Sequence, residues 1–177
     1  MPDRTLPANA AYIEGSVGYI PLRSRDGSIR TWAMVDAEDF SRVSGYRWHL
    51  SSAGYATRST RHPSVPGRQI KVLLSRYLLG LEHGNPLQAD HISRNRLDNR
   101  RGNLRAVTAA QNAQNVGSSR GSSSRYRGVR WIAEDEKWRA SVQCGGRYVS
   151  LGRFSSEDEA GLVVEAYRRK HVPFATD

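Results

Sequence analysis

Residues 89 to 115 hold the densest set of groups able to do chemistry: Ala-Asp-His-Ile-Ser-Arg-Asn-Arg-Leu-Asp-Asn-Arg-Arg-Gly-Asn-Leu-Arg-Ala-Val-Thr-Ala-Ala-Gln-Asn-Ala-Gln-Asn. Asp90 directly precedes His91. An imidazole with an ordinary pKa of ~6.5 takes a proton from water near neutral pH, which makes His91 the candidate general base. Arg94, Arg96, Arg100, Arg101 and Arg105 crowd the same stretch. They are too many for a solvated face opposed by so few acids, and guanidinium groups match phosphate oxygens, so phosphate contact is their expected role. A base beside a carboxylate, among amides and arginines, suits the hydrolysis of a phosphate ester.

These residues need a frame. The Asp-His pair closes a strand, a polar turn rich in Asn and Arg follows, and Asn103 to Val107 reads as a second short strand. Thr108 with Gln111 three residues later forms a capping box, which predicts a helix from Ala109 with Asn112 in its first turns. Asn115 lies one helical turn further, so spacing alone leaves Asn112 and Asn115 both open. Asp98 and Asn99 read as turn formers. Upstream, Val17 to Leu22, Thr31 to Val35 and Tyr46 to Leu50 are aromatic and β-branched and predict strands, with turn signals at Asp26-Gly27 and Ser52-Ala-Gly54. Asp36 to Val43 and Val72 to Leu81 predict amphipathic helices.

A strand ending in Asp-His, a loop, a strand beginning with Asn and a helix bearing Asn together resemble the HNH nuclease family and its ββα-metal fold. The resemblance covers residues 70 to 116 and includes Leu79-Gly80, Asp98-Asn99-Arg100 and Asn103-Leu104. It implies that His91, Asn103 and Asn112 are the three signature residues. Asn103 would then hold the loop and orient His91. Asp90 and Asn112 would be hard oxygen ligands, one charged and one neutral, for a divalent ion such as Mg²⁺, with Mn²⁺ as the alternative. That ion would stabilise charge on the phosphate and on the leaving 3′ oxygen. The family spacing favours Asn112 over Asn115. His49, His62, His83 and His171 have no acidic or Asn partner at ligand spacing and are expected to be structural or surface residues.

Composition agrees with a polyanionic partner. The chain has 177 residues, with 27 Lys and Arg against 17 Asp and Glu, a net charge of +10. Only Lys71, Lys137 and Lys170 are lysines; the rest are arginines. The excess is concentrated in residues 58 to 105. No run approaches the ~20 apolar residues of a membrane span, so no membrane contact is expected. The N-terminus lacks a secretory layout. A lone cysteine, Cys144, rules out an internal disulfide framework and a multi-cysteine zinc site, and points to a reducing compartment. No internal repeat is visible. Gly117 to Arg125 has no apolar residue and reads as a flexible tether. The expected organisation is therefore residues 1–116 with a strand-rich N-terminal extension, a linker at 117–125, and a second domain at 126–177.

In that second domain, Tyr126 to Trp131, Lys137 to Gln143 and Arg147 to Gly152 read as strands, with Gly145-Gly146 as a hairpin signal. Ser156 and Glu159 make a capping box for a helix on which Ala160, Val163, Val164 and Tyr167 recur at helical spacing, and Trp138 heads the apolar face of the second strand. The overall fold class is α+β: a ββα-metal unit, then a three-stranded antiparallel sheet packed on one helix. Tyr126-Arg-Gly-Val-Arg130, Lys137-Trp138, Leu151-Gly-Arg-Phe154 and Glu157 through Tyr167 resemble the ethylene-response-factor (Apetala-type) DNA-binding domain. That resemblance implies a sheet entering the major groove, with Arg127 and Arg130 as contacts. Strand alternation adds Arg139, Gln143, Arg147 and Tyr148. Two departures, Ser150 before Leu-Gly and Trp131-Ile132 after Val-Arg, prevent transfer of any target sequence.

The combination implies a site-directed, homing-type DNA endonuclease of the kind that phages and mobile elements carry. It would act on double-stranded DNA in the cytoplasm of a bacterial or phage-infected cell, with no small-molecule cofactor, as a monomer or homodimer. A non-catalytic DNA-binding regulator built on a relic nuclease frame, or a nuclease acting on RNA, would share much of the same charge. The intact Asp90, His91, Asn103 and Asn112 set favours the first reading.

Overall fold

Alternating burial builds the first sheet. In the computed structural model, which describes residues 10–115, 121–144 and 146–175, β1 (Tyr12–Glu14), β2 (Val17–Arg23) and β3 (Ile29–Asp36) form an antiparallel meander. Ile20 and Leu22 of β2 meet Ala33 and Val35 of β3 in the core. Tyr19 and Trp32 alternate to the other face, where Tyr12 stacks on Tyr19 with ring centroids 4.9 Å apart. The chain divides by contact into two compact units, Met1–Ala109 and Ala110–Asp177, and each has its own buried cluster.

The rest of the first unit packs around Trp48, which is fully buried and donates its indole N–H to the Val43 carbonyl at 2.9 Å. Burying such a ring contributes about 2–3 kcal/mol. A 3₁₀ turn at Ala37–Asp39 and the short helix α1 (Phe40–Ser44) replace the single helix expected over Asp36 to Val43. β4 (His49–Leu50), β5 (Ala56–Arg61) and β6 (Gln69–Leu73) form a second sheet. Val72 and Leu73, expected on a helix to Leu81, belong to β6, paired with Arg58 and Thr57. The helix itself, α2, is only Leu74–Leu78. Pairing with β5 satisfies backbone groups that a helix would otherwise have claimed, and it overrides the apolar spacing. β7 (Gln88–His91) and β8 (Leu104–Val107) pair as an antiparallel ribbon, followed by a single helical turn, α3 (Ala109–Asn112). Asn103 sits in a 3₁₀ turn just before β8 rather than within the strand.

In the second unit, β9 (Val129–Ile132), β10 (Lys137–Cys144) and β11 (Arg147–Phe154) make an antiparallel sheet in the order β11-β10-β9, and α4 (Glu157–His171) packs on it. Ser156 caps α4 by accepting from the Glu159 N–H at 3.4 Å, as its capping box requires. Ala140, Val142 and Val129 face Ala160 and Val164 in the core, with Trp138 packed at the margin. Gly161 lets the Tyr126 ring lie against α4, since a Cβ there would come within 2.7 Å of it. Of the expected tether, residues 117–120 lie outside the described residues, as does Gly145 of the hairpin signal. The described end is anchored: Ser124 Oγ donates to Glu157 at 2.8 Å, and Arg125 bonds Asp158. No helix among the described residues is long and apolar enough to cross a membrane.

Candidate active site

The loop between β7 and β8 is held at both ends by one side chain. Asn103 accepts the Ser93 N–H on Oδ1 at 2.8 Å and donates Nδ2–H to the Asp98 carbonyl at 2.8 Å. Its own carbonyl accepts from the Ile92 N–H at 2.8 Å. Asn103 is nearly buried, so each of these bonds satisfies a group that water does not reach. The far side of the loop is laid along β3: the Met34 N–H donates to the Leu97 carbonyl and the Asn99 N–H to the Met34 carbonyl, both at 2.8 Å. The N-terminal sheet thus acts as a rail for the loop.

That rail brings Asn99 under His91. Asn99 is 2% exposed and His91 4%, and Asn99 Oδ1 lies 3.1 Å from His91 Nε2. Asn99 Nδ2 donates to the Leu97 carbonyl at 3.2 Å, which orients the amide with its oxygen towards the ring. An amide oxygen only accepts, so Nε2 carries the hydrogen and Nδ1 is the basic nitrogen of the neutral ring. Burial pushes the His91 pKa below its ordinary value; the Asn99 bond and the charges of Asp90 and Asp98 work against that without reversing it. His91 is therefore an uncharged base near neutral pH. Tyr55 flanks it, with ring centroids 5.9 Å apart. Arg96 lies over Tyr55 at 4.7 Å and donates to the Ala53 carbonyl.

Asp90 precedes His91 and is 6% exposed. Directly across the ribbon, Arg105 donates to its Oδ2 from Nε at 2.8 Å and meets the same oxygen from Nη2 at 2.7 Å. Without that guanidinium a buried carboxylate would be strongly penalised. As a donor for a divalent ion, Asp90 has a charged oxygen to offer. A lone hard oxygen donor suits an ion that keeps waters and takes further oxygens from a phosphate. Among the described residues no group of three or more His, Cys, Asp or Glu comes together to hold a metal. Asn112 belongs by contact to the second unit.

The five arginines expected to face phosphate are differently employed. Arg100 forks onto Asp98 at 2.8 and 2.7 Å. Arg101 forks onto Asp39 at 2.7 Å through both nitrogens, and its N–H donates to Asp36. Arg105 holds Asp90 and Arg96 braces Tyr55, which leaves Arg94, exposed and at φ 63°, at the loop apex. The acids that the stretch lacked come from Asp36 and Asp39, far upstream. Of the second-unit residues, Arg130 and Arg139 face each other across β9 and β10, and Arg139 also pairs with Arg153; Gln143 and Tyr148 pair further along the same face. Tyr148 is 79% exposed. Arg147 pairs with Cys144 and so alternates to the opposite face. Arg127 turns inward and donates to the Gln114 carbonyl.

Two residues of the site escaped the sequence reading. Asn99 looked like a turn former, because nothing local separates a loop Asn from one buried by a distant strand. Asp39 carries no signal for its link to Arg101, 62 residues away.

Comparisons with known proteins fall on the same region. The family model described as HNH endonuclease matches residues 77–114. An uncharacterized HNH endonuclease of Acanthamoeba polyphaga mimivirus is 31% identical over 154 residues, covering 86% of this chain and 75% of that protein. No solved structure matches the chain.

Proposed function

The chain belongs to the HNH endonucleases, and on that premise we propose that it is a site-directed, metal-dependent DNA endonuclease of the homing type. The observation that carries the reading is the buried His91, held by Asn99 at 3.1 Å, beside a carboxylate that Arg105 steadies. In this reading His91 Nδ1 takes the proton from the attacking water, which adds to phosphorus opposite the leaving 3′ oxygen. Asn99 keeps the hydrogen on Nε2, which makes Nδ1 the basic nitrogen of the ring. Asn103 holds the loop that brings Asn99 to His91. Arg105 balances the charge of Asp90 and fixes its direction. A divalent ion, Mg²⁺ or Mn²⁺, for which the sequence resemblance names Asp90 and Asn112 as ligands, would supply charge stabilisation on the phosphate and the departing oxygen.

The second unit serves as the DNA reader. Arg130 and Arg139, with Gln143 and Tyr148, present two cations, an amide and an exposed ring on the sheet face turned away from α4. Such a face suits base edges and phosphates in the major groove. Arg127 and Arg147 lie off that face, and Arg94 is the loop arginine best exposed to phosphate.

Incubating the full chain with supercoiled duplex DNA tests the reading. Nicking or cutting with Mg²⁺ or Mn²⁺, abolished by a chelator, is the expected result. Binding without cleavage under every divalent ion would favour the non-catalytic regulator instead.

A further inference from the structure

Between Asp39 and Glu82 the chain has no Asp or Glu and seven Lys and Arg. The fold gathers the middle of this stretch into one hairpin, β5–β6. Its register pairs Arg58 with Val72, Ser59 with Lys71 and Arg61 with Gln69. Alternation therefore puts Arg58 on one face of the ribbon, and Arg61 and Lys71 on the other. Arg68 stands at the start of the returning strand.

Among the described residues none of these four cations meets a carboxylate in an ion pair. The Arg58 guanidinium lies 4.0 Å from the centre of the Tyr46 ring, 5.5 Å from Tyr77 and 5.6 Å from Trp48, and its buried Nε has no hydrogen-bond partner. Three rings hold this charge in place without cancelling it. Arg61, Arg68 and Lys71 are exposed, and among the described residues none joins an ion pair. Beside the ribbon opens a cleft of about 660 Å³, lined by Arg58, Lys71, Arg76 and His83, with Glu82 as the one carboxylate among its lining residues. Arg76 is already committed to the Leu87, Glu82 and Asn85 carbonyls. The others are available.

The same strand leads from the candidate base. Tyr55, directly before β5, has its ring 5.9 Å from His91. Arg58 and Arg61 follow three and six residues on, roughly 10 and 20 Å along the strand. Duplex DNA offers a phosphate about every 3.4 Å of axis on each strand, so a line of cations leaving the reaction centre meets several phosphates in succession. A two-stranded ribbon is also narrow enough to enter the major groove, with its faces towards the two backbones.

We infer that the β5–β6 hairpin and its cleft form the phosphate-binding surface of the first unit, holding the DNA backbone that flanks the cleaved bond. The inference rests on the nuclease reading above and adds where the substrate lies. The test measures binding of the full chain to a labelled duplex without divalent ions, across a salt series, for two pairs of substitutions that remove equal charge. Arg61→Gln with Lys71→Gln should make the slope of log affinity against log salt shallower by about 2, close to one unit for each phosphate no longer neutralised. Arg25→Gln with Arg30→Gln, exposed on the β2–β3 hairpin, should change it by less than about 0.5. Thermal melts show that both variants are folded. A wild-type slope in the hairpin pair, or an equal loss in the control pair, overturns the inference and leaves the nuclease reading standing. If the wild-type chain itself shows no salt-dependent binding to DNA, both fall together.

Discussion

Arg101 and Arg61 are both exposed arginines of the first unit, yet one forks onto the buried carboxylate of Asp39 and the other meets no acid among the described residues. The difference extends to their regions. Around the β7–β8 loop, Arg100, Arg101 and Arg105 each hold an aspartate, so their charge is spent on fixing the frame. Along β5–β6, Arg58, Arg61 and Lys71 have no such partner among the described residues, so theirs is available to a polyanion. An arginine-rich stretch is thus not by itself a map of phosphate contacts; what each cation faces in the fold decides.

The comparison breaks most easily at Arg105. Arg105→Ala leaves Asp90 buried without its counter-ion, and the chain should lose about 3 kcal/mol of stability, or roughly 10 °C in Tm, read from thermal melts. An unchanged Tm would show that the frame arginines are no more structural than those of the hairpin. Asn99→Ala should leave the fold intact but cut cleavage about 10- to 100-fold, as loss of an orienting partner does; wild-type rates in a single-turnover assay would remove Asn99 from the site.

A pH series sharpens the same contrast. Burial raises the Asp39 carboxyl, but bonds from Arg101 and Arg42 outweigh it and leave the pKa below the ordinary 3.8. Asp98 is lowered chiefly by its bond from Arg100, against a smaller opposing effect of burial. Both are depressed in the folded state, so their stabilisation is complete above about pH 4 to 5 and is lost as pH falls through the lower folded values. Stability of Asp39→Asn with Asp98→Asn should therefore vary less between about pH 5 and 3 than that of wild type, by urea titration. The smallest effect belongs to the hairpin. Arg61→Gln should shift stability by no more than about 0.5 kcal/mol, since it has no ion-pair partner among the described residues to lose; a larger loss would mean it is structural after all.

Much of the frame was legible in the sequence. Asp90-His91 ending a strand, Asn103 before the next and the sheet-and-helix pattern after residue 125 follow from alternation, capping and spacing. The rest depended on contacts distant in the chain. Val72 and Leu73 have the spacing of a helix, yet β5 draws them into a strand. Asn99 resembles any loop Asn until β3 buries it against His91. The arginines of residues 94 to 105 looked short of acids because Asp36 and Asp39 are supplied from the first sheet. The acid-free stretch from residue 40 to 81 is plain in the sequence, but only the fold shows that its hairpin cations form no ion pair among the described residues.

His91 is the residue on which cleavage should depend most. In a single-turnover assay on supercoiled duplex DNA with Mg²⁺, His91→Ala should cleave at least about 100-fold more slowly than wild type, while binding DNA with the wild-type affinity and salt slope. Cleavage by His91→Ala at the wild-type rate would contradict it.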